Sequence, residues 1–327
     1  MDAPRARVAR RPVHGVLLLD KPLGGSSNQV LQKAKWLLRA EKAGHTGTLD
    51  PLASGVLPLC FGAATKFSQI HLDADKSYEA TLALGVTTST ADAEGEVLQR
   101  RPVDIDGDDV ATVVRQFTGP ITQVPPMHSA LKKDGKALYE YARAGIEVER
   151  ASRAVTIHAL EVLAMRLDAP EPAIDIRVTC TKGTYIRTLG EDMGEALGCG
   201  AHLSALRRVA TGNFSAAQCV TLADLEAMDE ADRLACLRPV DALLDGFTRV
   251  TLDSDNAWRF LSGVRRRGDW PDYAQLAVYG PGPDAALLGS AHSVAGELIP
   301  TRLLSPIEVS QCVAQHRAAA QFESVVP

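Results

Sequence analysis

The sequence contains no long apolar run. Its longest apolar stretch, residues 55–64, covers ten positions and includes Pro58, whereas a helix that spans a membrane needs about 18 or more apolar residues. The N-terminus is basic, and its arginines are Arg5, Arg7, Arg10 and Arg11. No apolar segment typical of a signal peptide follows them. We therefore expect a cytoplasmic protein with a disordered basic tail over 1–12 and no membrane partner.

The cysteines follow no regular pattern. They show no C-x-x-C spacing and no nearby pair of histidines, and they are Cys60, Cys180, Cys199, Cys219, Cys236 and Cys312. This scatter argues against a zinc site and against a disulfide framework. A phosphate-binding loop of the form G-x-x-x-x-G-K-[ST] is also missing. The sequence therefore predicts reduced thiols, no metal and no cofactor.

The charge balance is not that of an obvious nucleic-acid-binding protein. The net charge is −5, and an acidic cluster over 104–109 contributes to it. Total charge is a weak guide, however, because contacts to phosphate depend on where the basic residues lie. At 327 residues, 46% of them hydrophobic, the chain is long enough for about two domains with buried cores.

Hydrophobic periodicity predicts an irregular mixture of strands and helices. The main expected strands are 14–19, 78–84, 155–167 and 173–181. The expected helices begin after N-caps at Ser27 and Thr184, or cover 110–117 and 136–144. Because βαβ alternation is not sustained, we predict an α+β catalytic domain with a mixed sheet over 13–246. Short strands between Gly/Pro turns predict a small, mostly β domain over 247–327.

A basic segment interrupts the catalytic domain at about 120–153. Between Lys132 and Arg153 it carries six basic residues against four acidic ones, interleaved with Tyr139 and Tyr141. Such a segment is either a solvated surface helix or an arm that grips RNA. The residues alone leave both interpretations open.

The densest chemical signal is the stretch Gly44–Gly55, which reads GHTGTLDPLASG. Its glycines permit tight turns, and its polar side chains cluster there. Within it, Asp50 precedes Pro51. An Asp followed by Pro is also typical of a helix N-cap with proline at the first helical position. Asp50 is therefore either a catalytic carboxylate or a cap.

The stretch from Gly44 to Leu57 resembles the active-site loop of the TruB family of tRNA pseudouridine synthases. Further segments resemble that family in the same order, and together they cover residues 13 to about 215. These segments are DKP…SS at 20–27, KSYEA at 76–80, PPMHSALK at 125–132, LYEYAR at 138–143, CTKGTYIR at 180–187 and LRR at 206–208. Two positions depart from the pattern, His128 in place of Tyr and Thr181 in place of Ser.

The resemblance implies a role for each matching residue. Asp50 would be the catalytic carboxylate, Arg187 its counter-charge, and Tyr78 a ring that stacks on the base and a hydroxyl near C5. The residues implied in substrate binding are His45, Tyr185, Leu206, Lys21, Lys132 and Arg143. The implied fold adds an RNA-gripping insertion at about 120–153, and the C-terminal region resembles a PUA-type RNA-binding domain in outline.

The implied reaction converts a uridine in the T stem-loop of tRNA, at position 55, into pseudouridine. It breaks the bond from C1′ to N1, turns the flipped-out uracil, and joins C1′ to C5. Asp50 either attacks C1′ or takes a proton from C2′, and the sequence does not distinguish the two. Two other functions stay open: an RNA-binding protein without catalysis, and another enzyme that acts on a glycosidic bond. We expect a monomer.

Overall fold

The structure, a computed structural model, describes residues 9–282 and 285–323, with side chains described as far as residue 318. Residues 1–8 of the expected basic tail lie outside the described residues. The helices are α1 (Ser27–Leu37), α2 (Ser68–Asp73), α3 (Gly107–Phe117), α4 (Leu138–Arg143), α5 (Ile186–Ala196), α6 (Leu222–Ala227), α7 (Glu230–Ala235), α8 (Ser254–Leu261) and α9 (Pro306–Glu323). Among the described residues, no helix is long and apolar enough to cross a membrane.

Strands of very different length accompany these helices. They are β1 (Gly15–Lys21), β2 (Ala43–His45), β3 (Ala53–Phe61), β4 (Lys76–Leu84), β5 (Val86–Thr88), β6 (Val97–Arg100), β7 (Gly119–Gln123), β8 (Lys132–Lys133), β9 (Lys136–Ala137), β10 (Arg153–Arg166), β11 (Ala173–Cys180), β12 (Ala201–Thr211), β13 (Phe214–Ser215), β14 (Val220–Thr221), β15 (Thr248–Thr251), β16 (Arg266–Arg267), β17 (Tyr273–Tyr279), β18 (Leu287–Val294) and β19 (Glu297–Leu303). Short 3₁₀ turns cover Gly62–Lys66, Ala216–Gln218 and Val240–Leu244.

The chain divides into two compact units, of which one consists of residues 50–56 and 73–216. Its sheet has the strand order β3–β12–β4–β11–β10–β7. The start of β3 pairs in parallel with β12, and the other neighbours pair in antiparallel fashion. Helix α5 packs on this sheet so closely that a Cβ on Gly190 would lie 2.7 Å from the Leu82 side chain. The mixed sheet predicted for the catalytic domain is confirmed.

The other unit comprises residues 1–49, 57–72 and 217–327. In its described part, β1 lies between β14 and the later part of β3, and β2 pairs with β3. A second sheet has the order β15–β17–β18–β19–β16. Its core includes Leu252, Phe260, Leu276 and Leu298. The predicted C-terminal β region is therefore confirmed, whereas the boundary near 247 and the PUA-like character stay predictions.

Helix α9 was missed by the sequence analysis. Its Gln315 accepts a hydrogen bond from the backbone N–H of His14 (3.0 Å) and donates one to the carbonyl of His14 (2.6 Å). The carboxylate of Glu308 pairs with Lys66 at 2.6 Å. Within this unit, α9 therefore fastens the residues that precede β1 and the turn that follows β3.

The expected cap of α1 was placed one residue too late. Ser26 is the N-cap, and with Gln29 it forms a capping box. The hydroxyl of Ser27 instead donates to the carbonyl of Leu49 (3.0 Å) and accepts from its N–H (2.8 Å). Ser27 is buried, and it holds the end of the loop that leads to Asp50.

Candidate active site

Asp50 lies in a turn that leads into β3. The N–H of Ala53 donates to the carbonyl of Asp50 at 3.0 Å, and the strand begins at Ala53. No helix starts at Pro51, so the interpretation of Asp50 as a helix cap is wrong. Its side chain is 40% exposed, which leaves the carboxylate open to a substrate.

The parallel pairing of β3 and β12 sets the place of Leu206. Leu206 lies opposite Ala53 on one side and opposite Ala80 of β4 on the other. Two residues after Ala53 on β3, Gly55 has a φ of 103°. A Cβ on Gly55 would lie 2.1 Å from the carbonyl oxygen of Arg208. Only glycine allows this approach of the two strands. Leu206 therefore lies beside the strand that starts three residues after Asp50.

Arg187 is the centre of the polar cluster. Its side chain is only 5% exposed, and its Nη2 lies 2.9 Å from Oδ2 of Asp50. The guanidinium also donates to the carbonyls of Thr90 (3.1 Å) and His128 (2.7 Å). Its Nε lies 3.5 Å from Oδ2 of Asp92. The proposed pairing of Arg187 with Asp50 is thus present in the structure, and three further groups fix the orientation of the arginine.

Asp92 was not found by the sequence analysis. Its side chain is 3% exposed, and it accepts hydrogen bonds from the hydroxyl of Thr90 and the N–H of Glu94. The residue before it, Ala91, has a φ of 58°, a strained value for a residue with a Cβ. An aspartate in a Ser/Thr-rich turn gives no sequence signal for a functional role. Only the fold brings Asp92 to Arg187.

Tyr78 lies on the central strand β4 and is 8% exposed. Its cross-strand neighbour is Arg208, whose guanidinium donates a hydrogen bond to the phenol. Burial raises the pKa of Tyr78, and the charge of Arg208 opposes that shift. The negative charge of Asp50 raises the pKa of Tyr78 further.

Tyr185 precedes the first residue of α5. Thr184 was expected to cap this helix, but its hydroxyl donates to the carbonyl of Thr181 instead, and Tyr185 occupies the cap position without a side-chain bond. The buried amide of Gln123 holds the backbone of Tyr185 with two hydrogen bonds, of 3.0 and 3.2 Å. The guanidinium of Arg153 lies 4.9 Å from the centre of the tyrosine ring. Tyr185 is therefore fixed on its backbone and on one face of its ring.

Two expected RNA contacts lie in the basic insertion. Lys132 is exposed on β8 and lines an open cavity of about 460 Å³. Arg143 ends α4, and its guanidinium lies 5.3 Å from the ring centre of Tyr139. The helix predicted over 136–144 is shorter than expected, because Lys136 and Ala137 form β9. Within the described residues, the insertion thus places Lys132, Lys133 and Lys136 on a short hairpin and Arg143 at the end of a short helix.

Lys21 and His45 belong to the other compact unit. Lys21 is fully buried at the end of β1, and its ammonium donates to the carbonyl of Pro22 at 2.9 Å. His45 ends β2 and is paired with Leu59 of β3. Their predicted roles toward the substrate stay predictions. The structure does bring Asp50, Arg187 and the overlooked Asp92 into contact.

Comparisons with known proteins identify the family to which the chain is related. Residues 35–186 match the model described as "TruB family pseudouridylate synthase (N terminal domain)", and residues 187–245 match "tRNA pseudouridylate synthase B C-terminal domain". A protein of Verminephrobacter eiseniae called tRNA pseudouridine synthase B is 65% identical over 95% of this chain and 95% of its own. One of the same name from Ralstonia nicotianae is 59% identical over 92% of this chain and 97% of its own.

A solved structure has the same fold. A chain in a crystal structure of a Cbf5-Nop10-Gar1 complex matches with a TM-score of 0.67 and 25% identity, over 94% of this chain and 93% of that one. Fold, site and relatives together define an enzyme of the pseudouridine synthase class, which is an isomerase. Within that class, the chain belongs to the TruB family.

Proposed function

We propose that this enzyme converts the uridine at position 55, in the T stem-loop of tRNA, into pseudouridine, with Asp50 as the catalytic carboxylate. The observation that carries the proposal is the pair of Asp50 with Arg187. The arginine is 5% exposed and the carboxylate 40% exposed, at a distance of 2.9 Å. A buried guanidinium at this distance holds the carboxylate in one orientation and leaves part of it exposed to a substrate. The relatives named tRNA pseudouridine synthase B support tRNA as the substrate.

The target uridine must leave its stacked position to reach Asp50. Flipping a nucleotide costs about a few kcal/mol, so the enzyme needs contacts that replace the lost stacking. Tyr78 and Tyr185 provide aromatic rings for the flipped uracil, and Leu206 provides an apolar wall. His45 is assigned to the space left in the RNA loop or to a neighbouring base. Lys132 and Arg143 are assigned to the phosphates of the stem.

The reaction then needs three changes at the sugar and the base. The carboxylate of Asp50 attacks C1′ or removes a proton from C2′, and the bond from C1′ to N1 breaks. The uracil turns and C5 bonds to C1′, while the bond from C1′ to Asp50 breaks or the proton returns to C2′. The oxygen of Tyr78 takes the proton from C5 and N1 gains a proton, which restores the double bond from C5 to C6. This sequence of steps needs no oxidant and no metal, in keeping with the residue types of the site.

The RNA contacts are divided between regions. The catalytic domain over 13–246 carries every residue assigned to the chemistry. The C-terminal region over 247–327 is assigned a PUA-like role in holding RNA away from the reacting base. The enzyme is assigned to the cytoplasm, where tRNA is processed, and to a monomeric state.

The proposal is tested with purified enzyme and unmodified tRNA transcript. Pseudouridine is mapped by carbodiimide modification followed by primer extension. A single stop that reports position 55 is expected. A matched transcript with cytidine at that position is the control and should give no stop. Modification at another uridine would contradict the assigned position, and a bound but unmodified transcript would favour the RNA-binding alternative.

A further inference from the structure

Arg208 is an arginine buried in the middle of the sheet. It is 1% exposed, and it lies on β12 directly opposite Tyr78 of β4. Its Nε donates to the carbonyl of Val56 at 2.7 Å, which fixes the plane of the guanidinium. The register of β12 against β4 shifts between Arg208 and Ala210, and such irregularities redirect side chains. The position of this guanidinium is therefore strongly determined by the strands around it.

Burying an arginine at this position has a high cost in free energy. A buried ion loses its hydration, and apolar side chains of similar volume are often at least as stabilising. The phenol of Tyr78 receives a hydrogen bond from this guanidinium. Lys76, two residues before Tyr78 on β4 and 8% exposed, is a second buried basic residue in this part of the sheet. Burial, and then the charge of Arg208, lower the pKa of Lys76 to about 8.

We propose that Arg208 is a positioning residue for the last step of the reaction, in which it holds the Tyr78 oxygen toward C5 of the bound base. This inference rests on the proposed function, because it assigns Tyr78 the removal of the C5 proton. Tyr78 first gives its hydroxyl proton to N1, which leaves negative charge on the Tyr78 oxygen. That oxygen then takes the proton from C5: the C5–H electrons form the double bond from C5 to C6, and the electrons of the double bond from C6 to N1 move to N1.

The guanidinium contributes in two ways to that transfer. Its hydrogen bond fixes the rotation of the hydroxyl, so that one lone pair of the oxygen stays free to accept the proton. Its charge stabilises the oxygen when negative charge develops there, an effect that is larger in a buried site than in water. Arg208 touches neither the sugar nor the uracil in this proposal, and it acts through Tyr78.

The test measures single-turnover rates on tRNA that carries either uridine or 5-deuterouridine at the target position. The variants are Arg208→Lys, Tyr78→Phe and the double variant. Arg207→Lys is the matched control. Arg207 is the adjacent residue, and its guanidinium donates to the hydroxyl of Ser54 at 3.4 Å. Loss of acid–base assistance commonly lowers rates by about 10²-fold or more, so Arg208→Lys should be slower by at least roughly tenfold.

The isotope effect separates positioning from general damage. In Arg208→Lys, deuterium at C5 should slow the reaction clearly more than in the wild type, because removal of the C5 proton has become limiting. Adding Arg208→Lys to Tyr78→Phe should cause no further loss, since Arg208 acts only through Tyr78. An unchanged rate, or a slower rate with the wild-type isotope effect, would overturn the positioning role. If Tyr78→Phe itself is neutral, Tyr78 is not the base, and the inference fails while pseudouridine formation on tRNA stands.

A fold check accompanies each variant, because Arg208 is a core residue. Far-UV circular dichroism should match the wild type. If Arg208→Lys and a second variant, Arg208→Gln, are both unfolded, the contact is tested in folded enzyme by guanidinium ¹⁵N NMR. One buried arginine resonance should shift between the wild type and Tyr78→Phe. The absence of any shifted arginine resonance would overturn the proposed contact.

Discussion

Two of the arginine–carboxylate clusters in the described residues have opposite degrees of burial. In the active site, Arg187 is 5% exposed and Asp92 is 3% exposed. In the C-terminal sheet, the side chains of Arg265 and Arg267 are 68% and 89% exposed, and both face Glu297. The same pair of chemical groups is therefore buried in the first of these clusters and exposed on the arginine side in the second.

The difference in burial indicates a difference in function. A buried pair keeps one geometry, because removing one partner leaves the other charge buried and unpaired. The loss of such a pair costs about 3–5 kcal/mol of stability. An exposed pair contributes about 0–1 kcal/mol and exchanges partners easily. Arg187 is thus suited to hold a carboxylate in place during chemistry. Arg265 and Arg267 are suited to leave Glu297 for another anion, such as a phosphate.

The largest effect is expected in the buried cluster, from replacing Asp50 with Asn. The change keeps the size of the side chain and removes its charge, so turnover should fall below detection while tRNA binding persists. Pseudouridine is measured by primer extension and binding by filter retention. The Asp175→Asn variant is the control, since Asp175 pairs with Arg166 at 2.6 Å on the same sheet and has no assigned role. Appreciable activity in Asp50→Asn would refute the catalytic assignment.

The shape of the buried cation is tested by Arg187→Lys. Lysine keeps the charge but cannot reach Asp50, Thr90 and His128 together, because it lacks the planar guanidinium. We expect the single-turnover rate to fall by about 10²-fold or more, with a much smaller change in the Kd for tRNA. If Kd rises while the rate at saturating RNA is unchanged, Arg187 is a ligand of phosphate and its pairing with Asp50 has no catalytic role.

Asp92→Asn should have a smaller effect than either change. Asparagine can still accept from Thr90 and Glu94, but it removes the negative charge beside Nε of Arg187. A weakened buried hydrogen bond costs about 1–3 kcal/mol, so both the urea midpoint and the rate should fall, the rate by roughly tenfold. A lower midpoint with a normal rate would make Asp92 purely structural. Asp92 would then belong with the fold and not with the site.

The sequence predicted much of the fold because its signals are local. Strand β4, for example, was expected over 78–84 and runs from Lys76 to Leu84. The errors are also local: a neighbouring serine, Ser26, proved to be the cap of α1. Helix α9 was missed because its residues show no clear amphipathic pattern. Its partners, His14 and Lys66, lie far away in the sequence.

The candidate site was predictable to the extent that its residues sit in motifs. Segments that resemble the family contain Asp50, Tyr78 and Arg187. In the structure, Arg187 forms an ion pair with Asp50. Asp92, and the contact between Arg208 and Tyr78, became visible only through the fold. Asp92 reaches Arg187 from a turn 95 positions earlier in the chain, and Arg208 reaches Tyr78 through the register of β12 against β4. Single-sequence patterns do not encode such distant pairings.

The exposed arginines are tested by the double variant Arg265→Gln and Arg267→Gln. Truncation after Asp245 would be a poorer test, because it also removes α9 and its bonds to His14. Each lost phosphate contact should reduce the slope of log affinity against log salt by about 0.7–0.9, while the saturated single-turnover rate stays within a few-fold. Arg166→Gln is the control, because the side chain of Arg166 is also exposed, at 45%. An unchanged salt slope in the double variant would leave Arg265 and Arg267 as surface partners of Glu297, and the contrast between the two regions would then concern stability alone.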